Sequence, residues 1–179
     1  MVSALMAIDA SDDRIAQAWT VLAGVPDPEL PALSIGDLGI VRDVRLNPRL
    51  NPQLEVVLTP TYSGCPATEV IEQQVRDAFA AAGVEDVAVT WQRAPAWTTD
   101  WISDEGRRKL KAYGIAPPGA APTGSVPIRI VRRALPDAVS CPRCDSVDTE
   151  RLSAFGSTAC KSLYRCRACR EPFESFKAI

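Results

Sequence analysis

Apolar residues recur at helical spacing at Ile15, Ala18, Trp19 and Leu22, which marks one face of an amphipathic helix. Ser11 is a suitable N-cap, Asp12 and Asp13 favour the first turn, and Gly24 and Pro26 end the pattern. The run VPDPELPALSIGDLGI is dense in Pro, Asp and Gly and reads as an ordered loop with short extended pieces. The period then changes to two. Ile40, Val44 and Leu46 share a strand face on which Arg42 is the exception, LNPRLNP is a turn, and LEVVLTP is a second strand, so the pair predicts a hairpin. Val70 or Ile71, with Val75, Ala78, Phe79 and Ala82, returns to the helical period, opened by Pro66 at the first helical position and closed by Gly83. VEDVAVTWQ is a third strand.

The order strand, strand, helix, strand predicts an α/β (α+β) domain: a small mixed sheet with helices on one face. A further helix is expected after Ser103, and Trp97 and Trp101 precede it as core residues or as interface anchors. APPGAAPTGSVP is the clearest boundary, giving a domain over 1–113, a Pro/Gly-rich linker over 114–127 and a second domain over 128–179. IRIVRRAL opens the last as a strand or extended arm.

Composition alters this picture in two places. The formal net charge is −2, which gives no global attraction to nucleic acid or anionic membrane. Residues 1–124 carry 10 basic and 16 acidic side chains, however, and residues 125–179 carry 10 and 6, so an acidic body precedes a basic tail. The chain also has no histidine, which excludes histidine general bases, Cys–His pairs and histidine metal ligands. No apolar run reaches the ~20 residues of a bilayer span, and MVSALMAIDASDD lacks the features of a signal peptide. The cytoplasm is the expected location, where paired cysteines read as metal ligands before disulfides.

CPRC and CRAC place Cys141, Cys144, Cys166 and Cys169 in two C-x2-C knuckles, the pattern of a tetrahedral four-thiolate site. Zinc is the expected ion, in a structural role because all four positions are filled; iron is the alternative for the same donors. Cys160 is a fifth thiol near the second knuckle, open to reading as a spare ligand, a small buried hydrophobe or a reactive group. The arginines of this tail could form a nucleic-acid patch, but no recognition helix accompanies them, and neither nucleic acid nor membrane is expected as a partner.

Cys65 stands apart, in TPTYSGCPATEV, between a strand pattern and a helix pattern. As the N-cap of a helix starting at Pro66 its thiolate would be favoured by the helix dipole; as a corner residue it would only fill space. Gly64 permits an unusual turn, and Thr59, Thr61, Tyr62 and Ser63 supply hydroxyls.

These stretches resemble a known family. DPELPALSIGDLGIVRDVRL with VVLTPTYSGCPATEVIEQQV is similar to the small SufT-like domain of iron–sulfur cluster maturation proteins. RAPAWTTDWISDEGRRKLKAYGIAPP and FGSTACKSLYRCRACREPFESFK resemble the PaaD (PaaJ) family, accessory proteins of the bacterial phenylacetyl-CoA epoxidase in phenylacetate catabolism. The resemblance implies a maturation domain with a C-terminal zinc-ribbon-like module. It makes Cys65 the reactive cysteine, with Asp27, Glu29, Asp37, Thr61, Ser63 and Gly64 around it, and implies transient iron or an iron–sulfur cluster there. The implied partners are the oxygenase and reductase components of the epoxidase and the iron–sulfur assembly machinery. The implied role is assembly or insertion of their centres; a structural subunit of the oxygenase complex is the alternative. Lacking Glu-x-x-His pairs and G-x-G-x-x-G, the chain is not expected to perform the oxygenation itself. A thiol enzyme using Cys65 would lack its usual activating base.

Overall fold

Helix α1 (Val2–Ala23) leads into a hairpin of β1 (Val41–Leu46) and β2 (Leu54–Leu58), followed by α2 (Thr68–Ala81) and β3 (Ala88–Trp91). The computed structural model describes residues 2–49, 54–62, 64, 67–84, 87–119 and 139–179. After a 3-10 turn at Thr99–Trp101 come α3 (Asp104–Ala112), β4 (Ile115–Ala116), β5 (Thr149–Ser153), β6 (Lys161–Cys166) and β7 (Pro172–Phe176). The chain divides into two compact units, Met1–Trp97 and Thr98–Ile179. No helix among the described residues is long and apolar enough to cross a membrane.

In the first unit the strand order is β1-β2-β3, with β1 and β2 antiparallel and β2 and β3 parallel. The hairpin and mixed sheet expected from the period-two pattern are therefore present, and a register shift between Val41 and Asp43 accommodates Arg42, the residue that broke the alternation. β2 is buried along its whole length, as befits the central strand. The parallel register sets Leu58 beside Trp91 and Val56 beside Val89, and Trp91 donates its indole N–H to Glu72 of α2 at 3.1 Å. Helix α2 thus covers the face that carries these residues. Its buried stripe is Ile71, Val75 and Phe79, which leaves Val70 about half exposed and settles the choice between the two. Burying each such side chain stabilises the fold by ~1.5–3 kcal/mol.

The helix ends as predicted. Gly83 adopts φ +80° and its N–H bonds the Ala80 carbonyl at 3.0 Å, while Val84 bonds Phe79 at 2.9 Å; this is the paired closure that satisfies the last carbonyls. The start of α2 differs from expectation. It begins at Thr68 behind an N-cap at Ala67 that supplies no side-chain bond, and the dipole is met by Glu69 in the first turn. The expected start at Cys65 and Pro66 falls, with Ser63, outside the described residues. Helix α1 also departs from the reading. It runs from Val2, so Ser11 lies inside it, because VSALMAI contains strong helix formers and neither Gly nor Pro. Ala18 and Leu22 are buried, whereas Trp19 is exposed.

The opposite face of the small sheet carries a polar network. Glu55 of β2 is buried and accepts bonds from Arg45 Nε, Asn47 Nδ2 and Thr90 Oγ1, each at 2.9 Å. The hydrogen bonds from Arg45 and Asn47 lead the causes that hold its carboxyl at about 2, against the opposing effect of burial. The pKa is depressed, so the stabilisation is complete above the ordinary value of 4.5 and lost as pH falls from there toward about 2. Glu55→Gln should lower the urea midpoint at neutral pH and flatten its decline across that acid window. A midpoint curve parallel to the parent protein's would refute the assignment.

In the second unit the strand order is β4-β7-β6-β5, a meander of β5, β6 and β7 with β4 added in parallel at the β7 edge. α3 forms where expected: Ser103 accepts the Gly106 N–H at 2.9 Å as N-cap, and Asp104 and Glu105 fill the first turn. Its location differs from the domain scheme, because α3 packs against β4 in the second unit. Arg107 explains this: its guanidinium bonds the carbonyls of Pro118 at 2.9 Å and Thr99 at 2.7 Å. Ile115 and Ala116, inside the stretch expected as linker, are strand β4. IRIVRRAL and the remainder of that linker lie outside the described residues.

Candidate functional site

The loop between Val25 and Ile40 builds its own scaffold. Asp27 is buried, and its Oδ1 accepts the N–H groups of Glu29 at 3.0 Å and Leu30 at 2.8 Å. Asp37 Oδ2 accepts the Ser34 N–H at 2.9 Å while Ser34 Oγ accepts the Asp37 N–H at 3.0 Å, a reciprocal box of the kind that opens helices. Leu30, Leu33, Ile35 and Leu38 are buried beneath these turns, and Trp97, also buried, donates its indole N–H to the Leu38 carbonyl at 2.9 Å. Of the two readings of Trp97, core is the one realised. Asp27 and Asp37 therefore order a loop, and Glu29 contributes its N–H to it.

The described residues that flank the isolated cysteine in sequence lie at a different kind of place. In a β-α-β crossover the loop after the first parallel strand reaches the carboxyl end of the sheet, where open α/β sheets bind ligands. Here that loop follows β2 and precedes α2. A cleft of about 480 Å³ opens beside it, lined by Pro60, Gly64, Thr68 and Glu69, by Glu72 one turn on, and by Trp91 and Arg93 at the end of β3. Glu72 is held below the usual carboxylate range chiefly by its hydrogen bond with Arg76 (2.8 Å), which outweighs burial. Thr59 is fully buried, its N–H bonding the Ile40 carbonyl at 2.9 Å, and Thr61 is half-buried. Of the expected site residues the cleft contains Gly64; Asp27, Glu29 and Asp37 do not line it, and Cys65 and Ser63 lie outside the described residues. The sequence reading missed Glu69, Glu72, Trp91 and Arg93. Their common signal is the parallel pairing of β2 and β3, which brings the end of one strand to the start of a helix and is not written in any local motif.

The second candidate is a metal centre. The Sγ atoms of Cys141, Cys144, Cys166 and Cys169 all lie within 4.8 Å of one another, with Cys141 3.7 Å from Cys169 and Cys144 3.6 Å from Cys166. A tetrahedral ion with bonds of ~2.3 Å to sulfur requires sulfur pairs about 3.8 Å apart, so the donor set fits zinc in both chemistry and spacing. The two knuckles share one geometry. Cys141 N–H bonds the Ser146 carbonyl and Cys166 N–H bonds the Glu171 carbonyl, both at 2.9 Å, and the residue after each second cysteine is left-handed: Asp145 at φ 58° and Arg170 at φ 65°. The N–H of Cys169, foremost among several causes, lowers the Cys166 thiol to about 7. For Cys144 the N–H of Ser146 acts downward, but burial and the neighbouring thiols carry it up to about 12. Cys141 and Cys166 are buried together with Tyr164, Phe173 and Ala116, and the two rings stack at 5.8 Å. Cys160 is not in the cluster. It is buried at the opposite end of β6, its Sγ 3.0 Å from Thr158 Oγ1, and so cannot act as a spare ligand.

The arginines of the ribbon are largely paired with carboxylates. Arg165 and Arg167 meet Glu150, Arg167 also meets Asp148, and Arg143 meets Glu171. These exposed pairs add little stability individually, but they neutralise charge at the knuckle end.

Comparison with known proteins follows this division. Residues 15–91 match the family description "Iron-sulfur cluster assembly protein", and residues 128–177 match "PaaD zinc beta ribbon domain". A protein of Escherichia coli (strain K12), named as one subunit of a "Putative 1,2-phenylacetyl-CoA epoxidase", is 46% identical over 166 residues, which are 93% of this chain and 94% of that one. The chain belongs to the PaaD family. Among solved structures, a domain of unknown function (DUF59) from Bacillus anthracis shares 25% identity, with a TM-score of 0.52, and the match covers 57% of this PaaD-family chain and 96% of that one. The family resemblance and α+β fold read from the sequence are both met, and the four-cysteine module is that of PaaD ribbons.

Proposed function

We propose that this PaaD-family protein is an accessory factor that assembles or inserts iron–sulfur or iron centres into the oxygenase or reductase component of a phenylacetyl-CoA epoxidase, in concert with the iron–sulfur assembly machinery of the cytoplasm. Cys65 is its working residue, holding iron or a cluster as transient cargo or engaging the client. Thr61, Ser63 and Gly64 share its loop, and Asp27, Glu29 and Asp37 support it through the 25–40 scaffold. What supports this reading is a cleft at the carboxyl ends of parallel strands lined by Pro60, Gly64, Thr68 and Glu69, which flank Cys65 in the sequence, together with a four-thiolate set that is complete without that cysteine. Cys141, Cys144, Cys166 and Cys169 would hold one zinc ion, whose chemistry there is structural.

Changing Cys65 to Ser should leave the metal content of the purified protein unchanged while epoxidase activity and client iron in cells fall to background. Normal activity with normally loaded components would end the proposal. The Escherichia coli relative is named as part of an epoxidase, which favours a second reading in which the protein stays in the oxygenase assembly. Co-purification with active oxygenase at fixed stoichiometry would select that reading, and active oxygenase free of this chain would reject it.

A further inference from the structure

The segment FGSTACK has no part in the cleft or the thiolate centre, yet its loop is fastened at several points. Gly156 N–H bonds the Lys161 carbonyl at 2.8 Å, Phe155 N–H bonds Ser153 Oγ at 3.1 Å, and Lys177 Nζ bonds the Ala159 carbonyl at 2.7 Å. Glu174 accepts both the N–H and, at 3.1 Å, the hydroxyl of Ser157. The same carboxylate pairs at 2.8 Å with Lys161, whose side chain is only 4% exposed. Gly156 leaves room for this carboxylate: a Cβ there would stand 2.5 Å from Glu174 Oε1 and displace that side chain. Taking a lysine out of water is costly and is offset only by good pairing, so a surface loop without a task has little reason to be fixed this way.

What the loop displays is Phe155, 67% exposed, with the Lys177 ammonium 4.3 Å from its ring centre. Leu152, three residues earlier, is also exposed. One exposed apolar side chain is ordinary; an exposed aromatic ring on a loop whose backbone is fastened, with a charge beside it, is the form of an interface anchor, because less of the loop must be ordered on binding. The surrounding charge selects the partner. At the knuckle end Arg143, Arg165 and Arg167 meet Glu171, Glu150 and Asp148, whereas the Lys177 ammonium hydrogen-bonds the Ala159 carbonyl and meets the Phe155 ring. Among the described residues Lys177 thus sets beside Phe155 a positive charge that no ion pair neutralises, complementary to carboxylates.

We infer that the 154–160 loop is a docking element, with Phe155 entering an apolar socket rimmed by Asp or Glu on a component of the epoxidase. The choice of that partner rests on the function proposed above. The test measures binding of the purified full chain to the purified oxygenase and reductase components at low and raised salt. Phe155→Ala should weaken the affinity for one component by about 10- to 100-fold. Lys177→Glu should weaken it and reduce its salt dependence. Tyr113→Ala, which removes another exposed aromatic, should stay within about twofold. Retained metal content and hydrogen-exchange protection of β6 and β7 establish that each variant is folded. If the parent protein binds neither component, the functional reading falls and the partner with it. If the parent binds and both loop variants bind equally well, the loop assignment alone is overturned. Loss of self-association in these variants, with epoxidase binding intact, would give the loop to a second copy of the chain and likewise overturn it.

Discussion

Replacing Cys166 by Ser is expected to release the metal and unfold the second unit. Cys166 is fully buried in the cluster formed by Tyr164, Phe173, Ala116 and Cys141, so it is at once a ligand and part of a core. That core is small for the strands it must hold, and the free energy of binding a structural zinc, about 10–16 kcal/mol at neutral pH, is in effect folding free energy. Metal per chain should fall from one equivalent to none, and amide protection in β6 and β7 should be lost while β2 and α2 keep theirs. Metal retained with those strands still protected would show that three thiolates and the sheet suffice.

The largest effect in the first unit is expected from Phe79→Ala. The ring is 1% exposed on the sheet-facing stripe of α2, and its carbonyl receives the closing bond from Val84. The truncation should destabilise this unit by ~3–5 kcal/mol through lost burial and the cavity left behind. Val70→Ala on the exposed side of the same helix should cost no more than ~0.5 kcal/mol. Urea unfolding followed by segment-resolved hydrogen exchange separates the two units. Equal losses for the two substitutions would mean that α2 does not seal the sheet through Phe79.

The parts of this molecule that could be read from sequence are those whose physics is local. Gly83 closing α2, Ser103 opening α3 and the two C-x2-C knuckles each depend on a few neighbouring residues, and all appear as expected. Failures came where distant chain decides. Nothing local told Thr68 from Pro66 as the start of α2, because the cap at Ala67 has no side-chain signature. Ile115 and Ala116 read as linker because a two-residue strand has no period, and they are strand only because β7 offers an edge. The cleft residues Glu69, Glu72, Trp91 and Arg93 converge through a crossover, so neither period nor motif gathers them. The backbone N–H groups that Asp27 and Asp37 accept were not legible, since an acidic residue in a loop serves ligands and backbone N–H groups equally well.

The strand order of the second unit also sets an order of assembly. β5, β6 and β7 are sequential neighbours, so their pairing closes short loops, and a bound ion joining the knuckles would shorten the search further. β4 must wait, because Ile115 lies opposite Glu174 and its pairing spans most of the unit. The clasp between Thr99 and Ile179, made by residues 80 apart, belongs to the same late stage. A chain emerging from the ribosome can therefore complete its first sheet with Trp91 in place, but it holds α3 and β4 in reserve until the last strand arrives, since contacts of long sequence separation form slowly.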